Sequence, residues 1–253
     1  MFRRKLYSQN FLQSRTLLNL LVRRSSIGRN DLVLDLGMGA GIITSVLLER
    51  GASVIGVEID PHFARLCKRQ FQGNQRVLII PGDILQFRLP KGPYKVFSNI
   101  PFSIEGKIVR KLLTADNPPK DCYLVIRKDL ASRLVAERQT TLFSVLFQPF
   151  FDFSIEYYFK RTDFWPVPSM DCVLFRFVQK DQYLISFSFR KNYWLFVESG
   201  FGNGNFVYRN LVKLYGPQKI GQLFQRFSIS KKAKPTQISA EIWQKMFLTL
   251  IEG

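Results

Sequence analysis

Asp31-Leu32-Val33-Leu34-Asp35-Leu36-Gly37-Met38-Gly39-Ala40-Gly41 is the stretch on which the fold turns. Its first half is an apolar run bounded by acids, the pattern of a strand buried on both faces of a parallel sheet. Its second half places a glycine at every other position, which makes a turn where backbone can approach a ligand closely. Ile42 to Arg50 then reads as a helix whose first N–H groups point back at that turn. Strand, glycine turn and helix together make a nucleotide-type cleft.

Working outward, Ser53-Val54-Ile55-Gly56-Val57-Glu58 is a second strand ending in an acid. Glu58 lies 21 positions after Gly37, close to the offset of about 20 at which a carboxylate grips ribose hydroxyls. A dinucleotide turn needs a further glycine where this chain has Ile42, so the spacing favours a nucleoside cofactor without phosphates, S-adenosylmethionine, over NAD. Val77–Ile80 is a third strand, and Asp83 in the loop after it can accept a hydrogen bond from an adenine amine. A fourth strand (Tyr94, Val96, Phe97) delivers Ser98-Asn99-Ile100-Pro101-Phe102 to its carboxyl end, the edge where open α/β sheets bind ligands. There an amide, a rigid proline and a ring suit a flat substrate bearing an amino group. Cys122–Ile126 continues the alternation of strands and helices. Phe150–Lys160 and Asp171–Gln179 then read as an antiparallel pair around Asp163-Phe164-Trp165-Pro166-Val167-Pro168, whose stiff turn holds Phe164 against the cleft. From Tyr183 onward the pattern is helical.

Charge narrows the partners. The 253 residues carry 37 Lys and Arg against 19 Asp and Glu, a formal net charge of +18, with 46% hydrophobic residues. A chain that basic meets a polyanion, and nucleic acid is the reading preferred over an anionic membrane. No apolar run reaches the roughly 18 residues of a membrane span, and the basic start (Arg3, Arg4, Lys5) leads into no secretory signal. A cytoplasmic protein is expected, with Cys67, Cys122 and Cys172 packed as small hydrophobes. His62 is the only histidine, which excludes histidine-based triads and multi-histidine metal sites; no metal site is expected.

Ser8–Leu12, Asp35–Gly41, Val57–Asp60, Gly82–Gln86, Asn99–Phe102 and Phe164–Asp171 follow one another as do the motifs of the rRNA adenine N6-methyltransferases, the superfamily of the Erm and KsgA enzymes. The chain resembles that superfamily from about Tyr7 to Phe177. The resemblance implies an α/β, Rossmann-like class I S-adenosylmethionine-dependent methyltransferase domain over 1–180, with a small basic helical RNA-binding domain over 181–253. It implies cofactor contacts from Asn10, Leu12, Gly37, Gly39, Glu58, Asp83 and Asn99. Asn99 and Pro101 would accept the two N6 hydrogens of a flipped adenine, with Phe102 and Phe164 stacking on it. Arg110 and Arg133 match basic positions that Erm enzymes use near RNA, and by charge the Arg3–Lys5 arm and Lys231–Lys234 should strengthen RNA binding without reading sequence. Asn-Ile-Pro-Phe is similar to the Erm form of its motif. The expectation is therefore a monomer that methylates one adenine of 23S rRNA, protein-free or assembling, and confers macrolide–lincosamide–streptogramin B resistance. The alternatives are KsgA-type dimethylation of 16S rRNA and a non-catalytic rRNA-binding assembly factor.

Overall fold

The computed structural model describes residues 10–135, 140–202 and 206–252. Its strands are β1 (Phe11–Leu12), β2 (Leu32–Leu36), β3 (Ser53–Glu58), β4 (Val77–Pro81), β5 (Lys95–Asn99), β6 (Asp121–Arg127), β7 (Phe151–Tyr158), β8 (Phe164–Trp165) and β9 (Cys172–Gln179). Seven of them form one sheet in the order β4-β3-β2-β5-β6-β9-β7. The five from β4 to β6 are parallel, and β9 runs antiparallel to β6. Parallel strands need both faces covered, and in β6 Cys122 to Ile126 are all buried. The order reverses between β2 and β5, so their carboxyl ends open a crevice at the switch point. Gly37 and Asn99 are the residues delivered there.

Helices α1 (Arg15–Arg24), α2 (Ile42–Glu49), α3 (Pro61–Gln70), α4 (Glu105–Leu113) and α5 (Lys128–Val135) follow in chain order. Ser14 caps α1 as its sequence predicts, accepting the Leu17 N–H at 3.1 Å. Leu18, Leu21 and Val22 turn inward from it. The link from β4 to β5 departs from the expected alternation. It carries no helix, because Gly82, Pro90, Gly92 and Pro93 break any helical run.

The expected single boundary at Lys180 needs correction. One compact unit comprises the described residues up to Ala131 and Ser154–Gln179; the other comprises Ser132–Phe153 and the chain from Lys180 on. The second contains α6 (Leu142–Phe147), α7 (Arg190–Phe201), α8 (Val207–Tyr215), α9 (Pro217–Arg226) and α10 (Ala240–Glu252). Helix α6 belongs there because α7 holds it: the Tyr193 hydroxyl donates to Val145 O at 2.9 Å and Trp194 Nε1 donates to Leu146 O at 3.1 Å. The core of this unit is aromatic, with Phe196 packed edge-on to Trp243.

Candidate active site at the switch point

A cavity of about 370 Å³ lies at the carboxyl ends of β2, β3 and β5. The glycine turn forms its floor. Gly37, Gly39 and Gly41 all have positive φ. At Gly39 a Cβ would meet the Phe11 ring at 2.7 Å, so the turn is closed over by β1 only because that side chain is absent. Behind it the Cys67 thiol donates to Gly39 O at 3.2 Å, and burial pushes that thiol up to about 12.

Glu58 ends β3 at the cavity wall. Its carboxylate accepts the Gly39 N–H at 2.7 Å and the Asp60 N–H at 2.8 Å, which hold its orientation. Burial raises its pKa, and these two bonds oppose the shift. Asp83 lines the opposite stretch of wall and accepts the Leu85 N–H at 2.8 Å. Each acid is followed by an isoleucine that also lines the cavity, Ile59 and Ile84. Their repeated acid–isoleucine pattern at two strand ends is a sequence signal that reading the acids alone misses.

Asn99 is fixed from three directions. Ser98, fully buried, accepts the Leu36 N–H at 2.8 Å and ties β5 to β2 beside the glycine turn. Glu105, buried at the start of α4, accepts the Arg127 N–H at 2.9 Å and pairs with its guanidinium, fastening the segment after Asn99 to β6. The Asn99 Nδ2 donates to Asn10 O at 2.6 Å. Its Oδ1 is buried and has no hydrogen-bond partner among the described residues. An acceptor left unpaired in a cavity is costly unless a ligand donor meets it. Ser98 and Glu105 were not anticipated from the sequence; a lone serine and a lone acid carry no signal there.

The structure gathers Asn10, Leu12, Gly37, Gly39, Glu58, Asp83, Asn99 and Pro101 around this cavity. It does not bring Phe164 in. Phe164 is 1% exposed and packs edge-on against Phe159 in the core. Strand alternation explains the correction: β8 pairs with β1, matching Leu12 with Phe164 and Phe11 with Trp165. Leu12 and Phe164 share the face turned to the core, and Phe11 and Trp165 share the other. Phe102 also stands outside the lining, half-buried against the core cluster. Arg110 and Arg133 are exposed, near the ends of α4 and α5. Arg3, Arg4 and Lys5 lie outside the described residues.

The donor set selects the cofactor. Among the described residues the lining holds two carboxylates and no lysine or arginine. A pyrophosphate would find no cation there, whereas ribose hydroxyls, an adenine amine and a positively charged sulfonium all suit acids and apolar walls. A Cβ at Gly37 would come within 3.4 Å of the Pro101 ring, so the turn is a cradle that side chains would fill.

Sheet order, glycine turn and acid pair define a class I S-adenosylmethionine-dependent methyltransferase. The chain belongs to the ribosomal RNA adenine dimethylase family, whose model matches residues 2–252. The ribosomal RNA small subunit methyltransferase A of Nostoc sp. PCC 7120 is 31% identical over 96% of this chain and 96% of its own. That of Geobacter sulfurreducens is 34% identical over 69% of this chain and 67% of its own. An rRNA adenine N-6-methyltransferase of Limosilactobacillus reuteri is 28% identical over 95% and 93%. The crystal structure of the 23S rRNA methyltransferase ErmE shares the fold at a TM-score of 0.80 and 23% identity, covering 95% of this chain and 99% of that one. The protein is thus an S-adenosylmethionine-dependent rRNA adenine methyltransferase.

Proposed function

We propose that this chain methylates the exocyclic N6 of adenine in small-subunit rRNA, acting as a cytoplasmic monomer. The expectation of the Erm branch gives way here, because the relatives of highest identity among those above carry small-subunit names. The Asn-Ile-Pro-Phe form of residues 99–102 favours the large-subunit reading instead, with antibiotic resistance as its consequence, and that remains the second reading.

The observation that carries the chemistry is that Asn99, whose buried Oδ1 lacks a partner among the described residues, and Pro101 line the cavity together. Adenine N6 is a poor nucleophile because its lone pair is delocalised into the ring. The Asn99 Oδ1 accepts one N6 hydrogen and the Pro101 carbonyl accepts the other, which favours a pyramidal nitrogen with a localised lone pair. Pro101 O already accepts the Ile104 N–H at 3.1 Å and has its second lone pair for this. Glu58 holds ribose hydroxyls and Asp83 the adenine amine of the cofactor, while Asn10, Leu12, Gly37 and Gly39 enclose its methionine end. S-adenosylmethionine supplies a methyl on a sulfonium, a good leaving group that needs no acid. The residues therefore act by placement, and the N6 proton leaves to solvent. Phe102 keeps a partly exposed ring beside Pro101 to cover one face of the base, which must be turned out of its stack to arrive. Arg110, Arg133 and the Arg3–Lys5 arm add phosphate contacts.

Labelled S-adenosylmethionine offered with small- and large-subunit rRNA tests this. Label on small-subunit adenines is expected. Label confined to one large-subunit adenine assigns the chain to the Erm branch. Bound cofactor with no label on either RNA makes it a non-catalytic binder.

A further inference from the structure

We propose that Lys111 is a positioning residue for the adenine of the cofactor, fixing the Asp83 carboxylate through Leu85. The inference rests on the role given to Asp83 in the proposed function and names the side chain that keeps the acid in place. The connection from β4 to β5 has no helix, so its backbone polar groups need partners from elsewhere. Leu85 is gripped on both of its backbone groups. Its N–H donates to the Asp83 carboxylate at 2.8 Å, and its carbonyl accepts from Lys111 Nζ at 2.8 Å. Asp83, Ile84 and Leu85 all line the cavity. The ammonium therefore holds one side of the turn whose other side orients the acid.

Two further observations single out this lysine. Helix α4 carries Lys107, Arg110 and Lys111, and of the three Lys111 alone is drawn in, half-buried where the other two are exposed. Burial lowers the pKa of its ammonium, and the Asp83 charge opposes that fall, so the two groups feel each other. The platform from which Lys111 reaches is also fixed: Glu105, buried at the start of α4, is paired with Arg127 of β6. Further along the connection, Asn117 Nδ2 donates to Pro90 O at 3.0 Å and to Gly92 O at 2.8 Å. Side chains from α4 and the chain just after it thus pin a connection that has no helix of its own. Lys111 is the one of the two that reaches a residue of the cavity lining.

The test measures, by calorimetry on the full chain, binding of S-adenosylhomocysteine and of the same compound with purine in place of adenine, which lacks the amine. The ratio of the two affinities reads the amine contact, and a change in stability alone leaves it unmoved. We expect the wild type to prefer the adenine compound about tenfold, the effect of one hydrogen bond to a charged group. Lys111→Met should lose most of that preference and Lys111→Arg, which keeps a charged donor, should retain most of it. Lys107→Met should match the wild type, and Asp83→Ala should abolish the preference. A preference undiminished in Lys111→Met overturns the proposal. So does an equal loss in Lys107→Met, which assigns the effect to surface charge. A preference that survives Asp83→Ala takes the amine away from Asp83, and that role and this proposal fall together. No readout requires RNA, so a wild-type chain that labels no rRNA defeats the small-subunit reading and leaves Lys111 to be decided by the affinity ratio.

Discussion

Asn99 is half-buried and Asp35 fully buried, and each has one buried side-chain oxygen without a partner among the described residues, but they sit in different places. Asn99 lines the cavity, and its buried oxygen lacks a partner among the described residues. Asn99→Ala removes that acceptor, and we expect methyl transfer to fall on the order of a hundredfold or more, as when one preorganised contact is lost. Cofactor binding, measured by calorimetry, should weaken by a smaller factor, since Asn99 is one of several residues around the cofactor and its amide also holds Asn10 O. Asp35 lies beneath the glycine turn and accepts the Thr44 hydroxyl at 2.7 Å. Burial lifts its pKa from 3.8 to about 7, with the Glu58 charge adding to the rise. The folded chain therefore keeps a proton that the unfolded chain gives up. The contribution of Asp35 to stability is fully present below the unfolded value and is lost as pH climbs through about 7. Asp35→Asn keeps an acceptor for Thr44 and removes the titration. Its denaturation midpoint relative to wild type should rise between pH 5 and pH 8; a constant difference across that range would refute the assignment.

At the scale of elements, the two-stranded sheet decides which aromatic does what. Phe164 faces the core, so Phe164→Ala should cost about 3–5 kcal/mol of stability. Phe164→Leu should fold and transfer methyl groups at close to the native rate. A large drop in rate for a stably folded Phe164→Leu would return the ring to the site. The sequence makes β2, β3, β4, β5 and β6 legible, because each is a short, mainly apolar run bounded by turn or polar residues. It also exposes Gly37, Glu58, Asp83 and Asn99, since each sits where such a run stops. It hides β1 and β8, because two residues cannot display a period. Without the pairing, Phe164 and Trp165 are simply adjacent rings, and a shift of one residue exchanges core for solvent. Helix α6 was illegible for a related reason. Its apolar residues Leu142–Phe147 suit either unit, and only the bonds from Tyr193 and Trp194 assign it.

For the whole molecule the governing fact is a contrast of sign. The chain carries a net charge of +18, yet among the described residues its cavity presents two carboxylates and no lysine or arginine. RNA binding and cofactor binding should therefore answer to salt in different ways. Each phosphate neutralised on a single strand contributes a slope of about −0.7 in log affinity against log salt. Lys231, Lys232 and Lys234 are exposed, and Lys231 lies 4.8 Å from the centre of the Tyr208 ring, a cation held beside a stacking surface. Replacing the three by alanine should flatten the RNA salt slope by up to about 2 and weaken all RNA sequences alike. S-adenosylmethionine affinity should stay nearly flat over the same titration, because a small ligand with a zwitterionic end displaces no condensed counterion cloud as a polyanion does. If cofactor affinity instead collapses with salt in parallel with RNA affinity, the cavity is reading a polyanion after all, and the choice of a phosphate-free cofactor made from Ile42 and from the lining would have to be abandoned.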